Sequence, residues 1–293
     1  MITIFTPTYN RKYTIGKLYE SLCCQNVNNF EWLIVDDGST DGTDVYIQSL
    51  VSLNFNIRYY YKKNEGKSKA INYAVGLAKG DWFFIVDSDD YLVDNALSIL
   101  QKYLSQIENQ LDICAIVANR ITPTGKKLGN IYSCDIFDTD ISYFRSKYKF
   151  QGDYAEIFRT SVMKEYPFPE FEGEKYCTES LVWYRMAQKY KFRYINEDIY
   201  VCEYLLDGIT NSCKVGVLLK QNPQYYTLYF KEQFQYDISF IDKLRVSIHY
   251  WNAYKLCKVK SDIIKPILGL YFCYPLYLAY RMFKVVFNIV CYL

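Results

Sequence analysis

Four times within the first 110 residues a short apolar run breaks into a polar, turn-rich loop before the pattern turns helical. The runs are Ile2 to Thr6, Glu31 to Val35, Ile57 to Tyr61 and Trp82 to Val86. Helical spacing follows in Leu18, Leu22 and Cys23, in Ile71, Ala74 and Leu77, and in Asn95 to Leu104. Short apolar runs bounded by turns read as buried strands, and strands that alternate with helices pack as a mostly parallel sheet flanked by helices. The expectation is an α/β, Rossmann-like domain whose functional loops gather at the carboxyl ends of the strands.

Those loops carry the chemistry. Asp87-Ser88-Asp89-Asp90 crowds three carboxylates behind a buried strand, where they repel one another unless a cation or solvent neutralises them. Oxygen-only ligands suit Mg²⁺ or Mn²⁺, which bind through one or two carboxylates and the phosphates of a substrate. A polar turn with Asp90 capping the next helix is the competing reading. Asp37 ends the second strand in Asp36-Asp37-Gly38-Ser39-Thr40-Asp41-Gly42-Thr43. It is placed to accept from a base N–H or a ribose hydroxyl, and the two glycines permit close backbone approach. A helix cap with turn glycines explains that segment equally well. Lys67 and Lys69, in Asn64-Glu65-Gly66-Lys67-Ser68-Lys69-Ala70, open a helix where cations oppose the macrodipole. A diphosphate nearby accounts for them, as does solvation.

Other classes fall away. No GxGxxG follows the first strand and no GxxxxGK[ST] occurs, so Rossmann dinucleotide binding and a Walker-type NTPase are not indicated. His249 is the sole histidine; between Ile248 and Tyr250-Trp251 it reads as packed or interfacial, leaving no Ser-His-Asp or Cys-His site. The ten cysteines show neither a CxxC pair nor zinc spacing and read as reduced thiols. Lys+Arg 34 against Asp+Glu 32 gives a net charge of +2, with no field for nucleic acid. The 32 Tyr and 18 Phe suit sugar-stacking or membrane-interface surfaces, though a biased source composition produces the same excess.

Taken in order, Thr6-Pro7-Thr8-Tyr9-Asn10, the Asp36 to Thr43 segment, Asn64 to Asn72 and Asp87 to Asp90 resemble the motifs of glycosyltransferase family 2. The resemblance extends over residues 1 to about 210. It implies a GT-A fold, a nucleotide-sugar donor (a UDP-sugar foremost) and transfer with inversion. It further implies that Thr6, Pro7 and Tyr9 border the nucleotide, that Asp37 contacts the base, and that the Asn64, Lys67 and Lys69 loop lies near the diphosphate. Asp87, Ser88 and Asp89 form the DxD-type element, with Asp89 first, then Asp87 and Asp90, as metal ligands for Mn²⁺ or Mg²⁺. The family often carries Glu-Asp six residues ahead of a basic position, the Asp acting as base. Counting back from Arg185 gives Thr178-Glu179, so Glu179 is the expected base, with Glu172 and Glu174 as alternatives. Asp153 and Asp207 are assigned to the acceptor side.

These expectations divide the chain into a GT-A domain over 1–215, with a nucleotide-binding half 1–110 and an acceptor and catalytic half 111–215, and a helical region over 216–293. Tyr143 to Phe150 alternates basic and aromatic residues, which suits an acceptor contact, a membrane contact or a solvated helix face. Within the tail, 264–293, the apolar run Ile267 to Tyr280 contains Pro275 and is shorter than the roughly 20 residues of a spanning helix. Its flanking cations favour an interfacial segment over core packing or a span, with Arg281 and Lys284 reaching headgroups. With no charged n-region at Met1-Ile2-Thr3-Ile4-Phe5, no signal peptide is read. A cytoplasmic enzyme held at the inner face of the cell membrane, acting on a glycan or lipid-linked acceptor in surface-polysaccharide synthesis, is the combined expectation. A nucleotide-sugar-binding or scaffold protein without turnover and a sugar-nucleotide pyrophosphorylase are the alternatives.

Overall fold

The computed structural model describes residues 1–129, 135–139, 152–203 and 215–290, with side chains to 280 in the last segment. Two compact units emerge, Met1–Phe168 with Glu179–Ser212, and Pro169–Thr178 with Cys213–Leu293.

In the first unit the expected alternation is realised. Strands β1 (Ile2–Thr8), β2 (Phe30–Asp36), β3 (Asn56–Tyr61) and β4 (Trp82–Ile85) are separated by helices α1 (Ile15–Cys23), α2 (Thr43–Ser49) and α3 (Lys67–Leu77). After these come β5 (Tyr91–Leu92), α4 (Ala96–Gln106), β6 (Ile113–Ile121), β7 (Ile136–Thr139), β8 (Tyr154–Arg159), α5 (Thr160–Glu165), α6 (Ser180–Met186) and β9 (Lys191–Val201). The sheet order is β3-β2-β1-β4-β8-β6-β9-β5, with β7 paired to β9. β1, β2, β3 and β4 are mutually parallel, and β8 runs antiparallel to both β4 and β6. Because β2 and β3 lie on one side of β1 and β4 on the other, the chain reverses direction of travel between β1 and β4. Loops leaving a sheet at such a switch diverge and leave a crevice between them.

The strands read as continuous apolar runs because both faces are covered. On one face Ile2, Ile4, Trp32, Ile34 and Phe84 share a core with Ile15, Leu18 and Leu22 of α1 and Leu97 and Leu100 of α4. The other face stacks Phe5 on Phe83, centroids 5.3 Å apart, and Phe158 on Trp183 at 4.1 Å. One charge is buried among them. Glu31, 2% exposed, accepts from the Thr3 hydroxyl (2.7 Å), Lys79 N–H (2.8 Å) and Arg58 Nη1 (2.9 Å). Nearby, Gly80 leaves no room for a side chain, since a Cβ there would stand 2.5 Å from Thr3 N and 2.8 Å from Ile2 C. Gly80→Ala is therefore expected to cost about 1–3 kcal/mol in urea unfolding, the range for overpacking.

The second unit is helical: α7 (Val215–Gln221), α8 (Pro223–Gln235), α9 (Phe240–Tyr254), a 3-10 turn at Asp262–Ile264 and α10 (Leu268–Val290). Glu174 is 5% exposed and accepts from Gln224 N–H (2.8 Å) and Tyr225 N–H (3.0 Å), capping α8. This is a structural task, and it removes Glu174 from the alternative bases. Part of the aromatic excess is spent on a local core of Tyr250, Trp251, Leu270 and Tyr277, in which Tyr250 donates to Ile264 O (2.8 Å) and Trp251 to Leu270 O (3.1 Å). His249 is exposed and stacks on Phe230 with ring centroids 5.2 Å apart. The tail helix is longer than its apolar run: α10 has 23 residues, contains Pro275 and passes through Arg281 and Lys284. Both are strong helix formers, so charge interrupts the hydrophobicity without ending the helix. Among the described residues no helix is long and apolar enough to cross a membrane.

Candidate active site

The loops after β1, β2 and β3 brace one another. Asn10, at a left-handed φ of 53°, donates its N–H to Ser39 Oγ (2.8 Å) and accepts from Thr40 N–H through Oδ1 (2.8 Å). Asp41 accepts from Lys12 N–H (3.1 Å) and from Thr43 N–H (3.0 Å), which orders the turn that leads into α2. Gly38, at φ 91°, is needed for an approach between loops, because a Cβ there would lie 3.0 Å from Asn64 N.

Asp37 is spent largely inside the protein. Its Oδ1 accepts from Lys62 Nζ (2.8 Å) and Glu65 N–H (2.9 Å), and its Oδ2 from Gly66 N–H (2.7 Å). Three of the roughly four acceptor positions of a carboxylate are thus filled. The residue shapes the loop that begins α3 and keeps one position for a ligand. Thr6 is also withdrawn: it is fully buried, and its hydroxyl accepts from Trp32 Nε1 (2.9 Å). Strand alternation explains this, since Thr6 faces the same side as Ile2 and Ile4. Tyr9, 49% exposed, lies at the open end of β1. Close to these segments, Thr8 Oγ1 and Ser68 Oγ are buried without a hydrogen-bond partner among the described residues. Buried hydroxyls are seldom left so, and a ligand would satisfy them.

The two lysines at the start of α3 diverge. Lys69 reaches Glu65 at 3.7 Å. Lys67 Nζ lies 2.6 Å from Asp87 Oδ1 and 2.8 Å from Glu179 Oε1. The anions that explain this cation at a helix start are therefore the protein's own. Burial works against the ammonium, but Asp87 and Glu179 outweigh it and raise its pKa. Glu179 directly precedes α6, yet its side chain makes no capping bond. It turns to Lys67 instead.

Each aspartate behind β4 has a different environment. Burial pushes the Asp87 carboxyl up, and Lys67 with Arg120 overcome this and hold it below its ordinary range. Asp89 is raised by burial and by Asp87 beside it, against its own backbone N–H and the charges of Arg11 and Lys67. Asp90 is turned inward. Its Oδ2 accepts from the Tyr200 hydroxyl (2.7 Å) and its Oδ1 from Glu203 N–H (3.0 Å), while burial and Asp87 push its pKa up to about 7. A carboxylate committed in this way braces β9. Ser88 is buried at 5% exposure. No group of three or more His, Cys, Asp or Glu side chains is arranged as a metal cage among the described residues. What is present is one carboxylate, Asp89, without an ion pair among the described residues, next to one that is paired with a lysine. That donor set fits a divalent ion completed by phosphate oxygens and water.

Several supporting residues carry no local sequence signal. The Tyr200 hydroxyl accepts from Asp87 N–H (3.0 Å) while donating to Asp90, and Arg120 lies 4.3 Å over its ring. Asn72 binds the Phe168 backbone in both directions, each bond 2.9 Å. Asp153 is exposed and precedes β8, whose antiparallel course brings its start to the end of the sheet where β4 finishes. Asp207 and the Tyr143 to Phe150 stretch lie outside the described residues.

Against known proteins, the family model described as glycosyl transferase family 2 matches residues 3–168, more than half of the chain. The chain belongs to glycosyl transferase family 2, and the pyrophosphorylase alternative is set aside. A hyaluronan synthase of Pasteurella multocida is 30% identical over 227 residues, covering 76% of this chain and 22% of the synthase. The chain thus spans about a fifth of that relative's length. In structure it is similar to TarS of S. aureus, residues 1–349, in complex with UDP-GlcNAc, with a TM-score of 0.67, 20% identity, and coverage of 86% of this chain and 72% of the other. A mannosyltransferase of Pyrobaculum calidifontis in complex with GDP-Man and Mn²⁺ aligns with a TM-score of 0.53 and 18% identity, over 97% of this chain and 83% of the other. The fold is that of GT-A glycosyltransferases.

Proposed function

We propose that this chain transfers a sugar, with inversion, from a nucleoside-diphosphate sugar, foremost a UDP-sugar, to a hydroxyl of a glycan or lipid-linked acceptor. The observation that carries the reading is the meeting of Glu179 with Lys67 and Asp87, beside Asp89, in a chain of this family. Glu179 takes the proton of the acceptor hydroxyl as its oxygen attacks the anomeric carbon. The bond from that carbon to the diphosphate breaks on the opposite face, its electron pair leaves with the diphosphate, and a single displacement inverts the centre. Asp89 with Asp87 would hold Mn²⁺ or Mg²⁺, which when bound supplies positive charge to the departing diphosphate. Lys67 orients the groups around it, and Thr8 and Ser68 offer hydroxyls to the donor.

Thermal unfolding with UDP and GDP sugars tests this. A UDP-sugar with Mn²⁺ is expected to stabilise the protein by about 2.7 kcal/mol at a hundred times its Kd, with the effect lost in EDTA. No stabilisation by any nucleotide sugar would overturn the reading.

The membrane-surface part of the proposal rests on α10. Leu268 (72% exposed), Tyr271 (57%), Phe272 (75%) and Leu276 (53%) follow helical spacing and leave an apolar strip uncovered within their own unit. Such a strip suits the interface of a bilayer, as for an enzyme at the inner face of the cell membrane. The side chains from Arg281 onward lie outside the described residues, and with them the expected headgroup contacts of Arg281 and Lys284. Replacing Leu268, Phe272 and Leu276 together with glutamate is expected to abolish co-sedimentation with anionic vesicles while leaving UDP binding unchanged. Unaltered sedimentation would remove this part of the proposal.

A further inference from the structure

Lys67 serves two carboxylates that belong to opposite sides of the proposed reaction. Asp87 is on the donor side and Glu179 on the acceptor side. They are 92 residues apart in sequence and joined only through one ammonium, at 2.6 Å and 2.8 Å. We propose that Lys67 is a positioning residue that couples donor binding to the release of Glu179. The ammonium holds the base on the donor side until a nucleoside diphosphate draws it away.

The inference rests on the functional reading above, and the argument for it is electrostatic. Before a donor arrives, Asp87, Asp89 and Glu179 face three nearby cations, Lys67, Arg120 and Arg11. Of these, Lys67 is the one within bonding distance of Glu179. A charge-assisted bond of this length is among the stronger ones a protein makes, and it fixes the carboxylate toward Lys67. A donor brings two changes together. Asp89 and Asp87 would hold a divalent ion, whose charge would serve Asp87 in place of the ammonium. The diphosphate offers that ammonium a partner of higher charge than Glu179. Each change weakens the hold on Glu179, whose oxygen becomes available to an acceptor hydroxyl when there is a donor to react with. A base restrained in this way is less effective at activating water before the acceptor binds.

Coupling of this kind is reciprocal: if a donor loosens Glu179 from Lys67, then removing the charge of Glu179 must tighten the donor. Calorimetric titration of UDP in the presence of Mn²⁺ reads this directly, without turnover. E179Q is expected to bind UDP about tenfold more tightly than the wild type, within the usual range of coupling between sites. In a K67M background the same change is expected to bring no gain, which isolates the lysine as the carrier. An unchanged affinity in E179Q, or an equal gain with and without Lys67, overturns the proposal. Where K67M does not fold, K67Q takes its place in the same comparison. A wild type that binds no UDP overturns the functional reading as well, whereas UDP binding that is indifferent to Glu179 sinks only the coupling.

Discussion

Replacing Glu179 with alanine is expected to lower the rate of sugar transfer by about 10²–10⁴-fold, the usual worth of a general base. Nucleotide binding should survive, since Thr8, Ser68 and Lys67, the groups proposed to meet the donor, are untouched. Release of UDP from a UDP-sugar, with and without acceptor, is the measurement. Shortening the side chain in E179D restores the aspartate usual in the family but moves the carboxylate back by one methylene, away from an ion pair now set at 2.8 Å. An intermediate rate is expected for it. Undiminished release in E179A would place the base elsewhere. A wild type that binds nucleotide yet never turns over would favour the reading of a binding or scaffold protein, to which Thr178-Glu179 in place of Glu-Asp lends itself.

The second large effect concerns stability. Glu31→Ala is expected to destabilise the protein by about 3–5 kcal/mol in urea unfolding, because it leaves Arg58 without its buried partner and strips the Thr3 hydroxyl and Lys79 N–H of their acceptor. A midpoint equal to that of the wild type would show the site to be slack. The same group gives a pH signature. Burial pushes the Glu31 carboxyl up, but the bonds from Lys79, Thr3 and Arg58 prevail and hold it below its ordinary value. Its folded pKa is thus lower than its unfolded one. The stabilisation is complete above the unfolded value near ~4.3 and is lost as pH falls through the folded value. E31Q should unfold with a shallower loss of stability across that acidic window.

What could be read from the sequence was whatever is local. Strands ending in Asp36, Tyr61 and Val86 announce themselves by apolar runs, and their loops by glycine and carboxylate, so the sheet and the crevice at its switch follow. The partners of those loops do not. Asp37 looked like a ligand-facing acceptor because nothing in its own neighbourhood shows that Lys62, Glu65 and Gly66 turn back to fill it. Asp90 is indistinguishable from Asp89 by spacing, and only Tyr200 and Glu203, more than a hundred residues on, separate brace from ligand. Thr6 needed a face assignment that a short strand covered on both sides conceals. The lysine at 67 was readable as a cation in want of an anion, and the fold supplied two.

The segment that delivers Glu179 leaves the first unit at Phe168 and returns at Glu179. Its departing end is fastened by Asn72 and its returning end by Lys67, both on α3. Five residues of helix separate these moorings, a span of about 7.5 Å along a rigid rod. Of the ten residues between, Glu174 is held by its bonds to the start of α8, so the segment is fixed in its middle as well as at its ends. α3 is thus the helix in which a single substitution would loosen both ends of that segment at once.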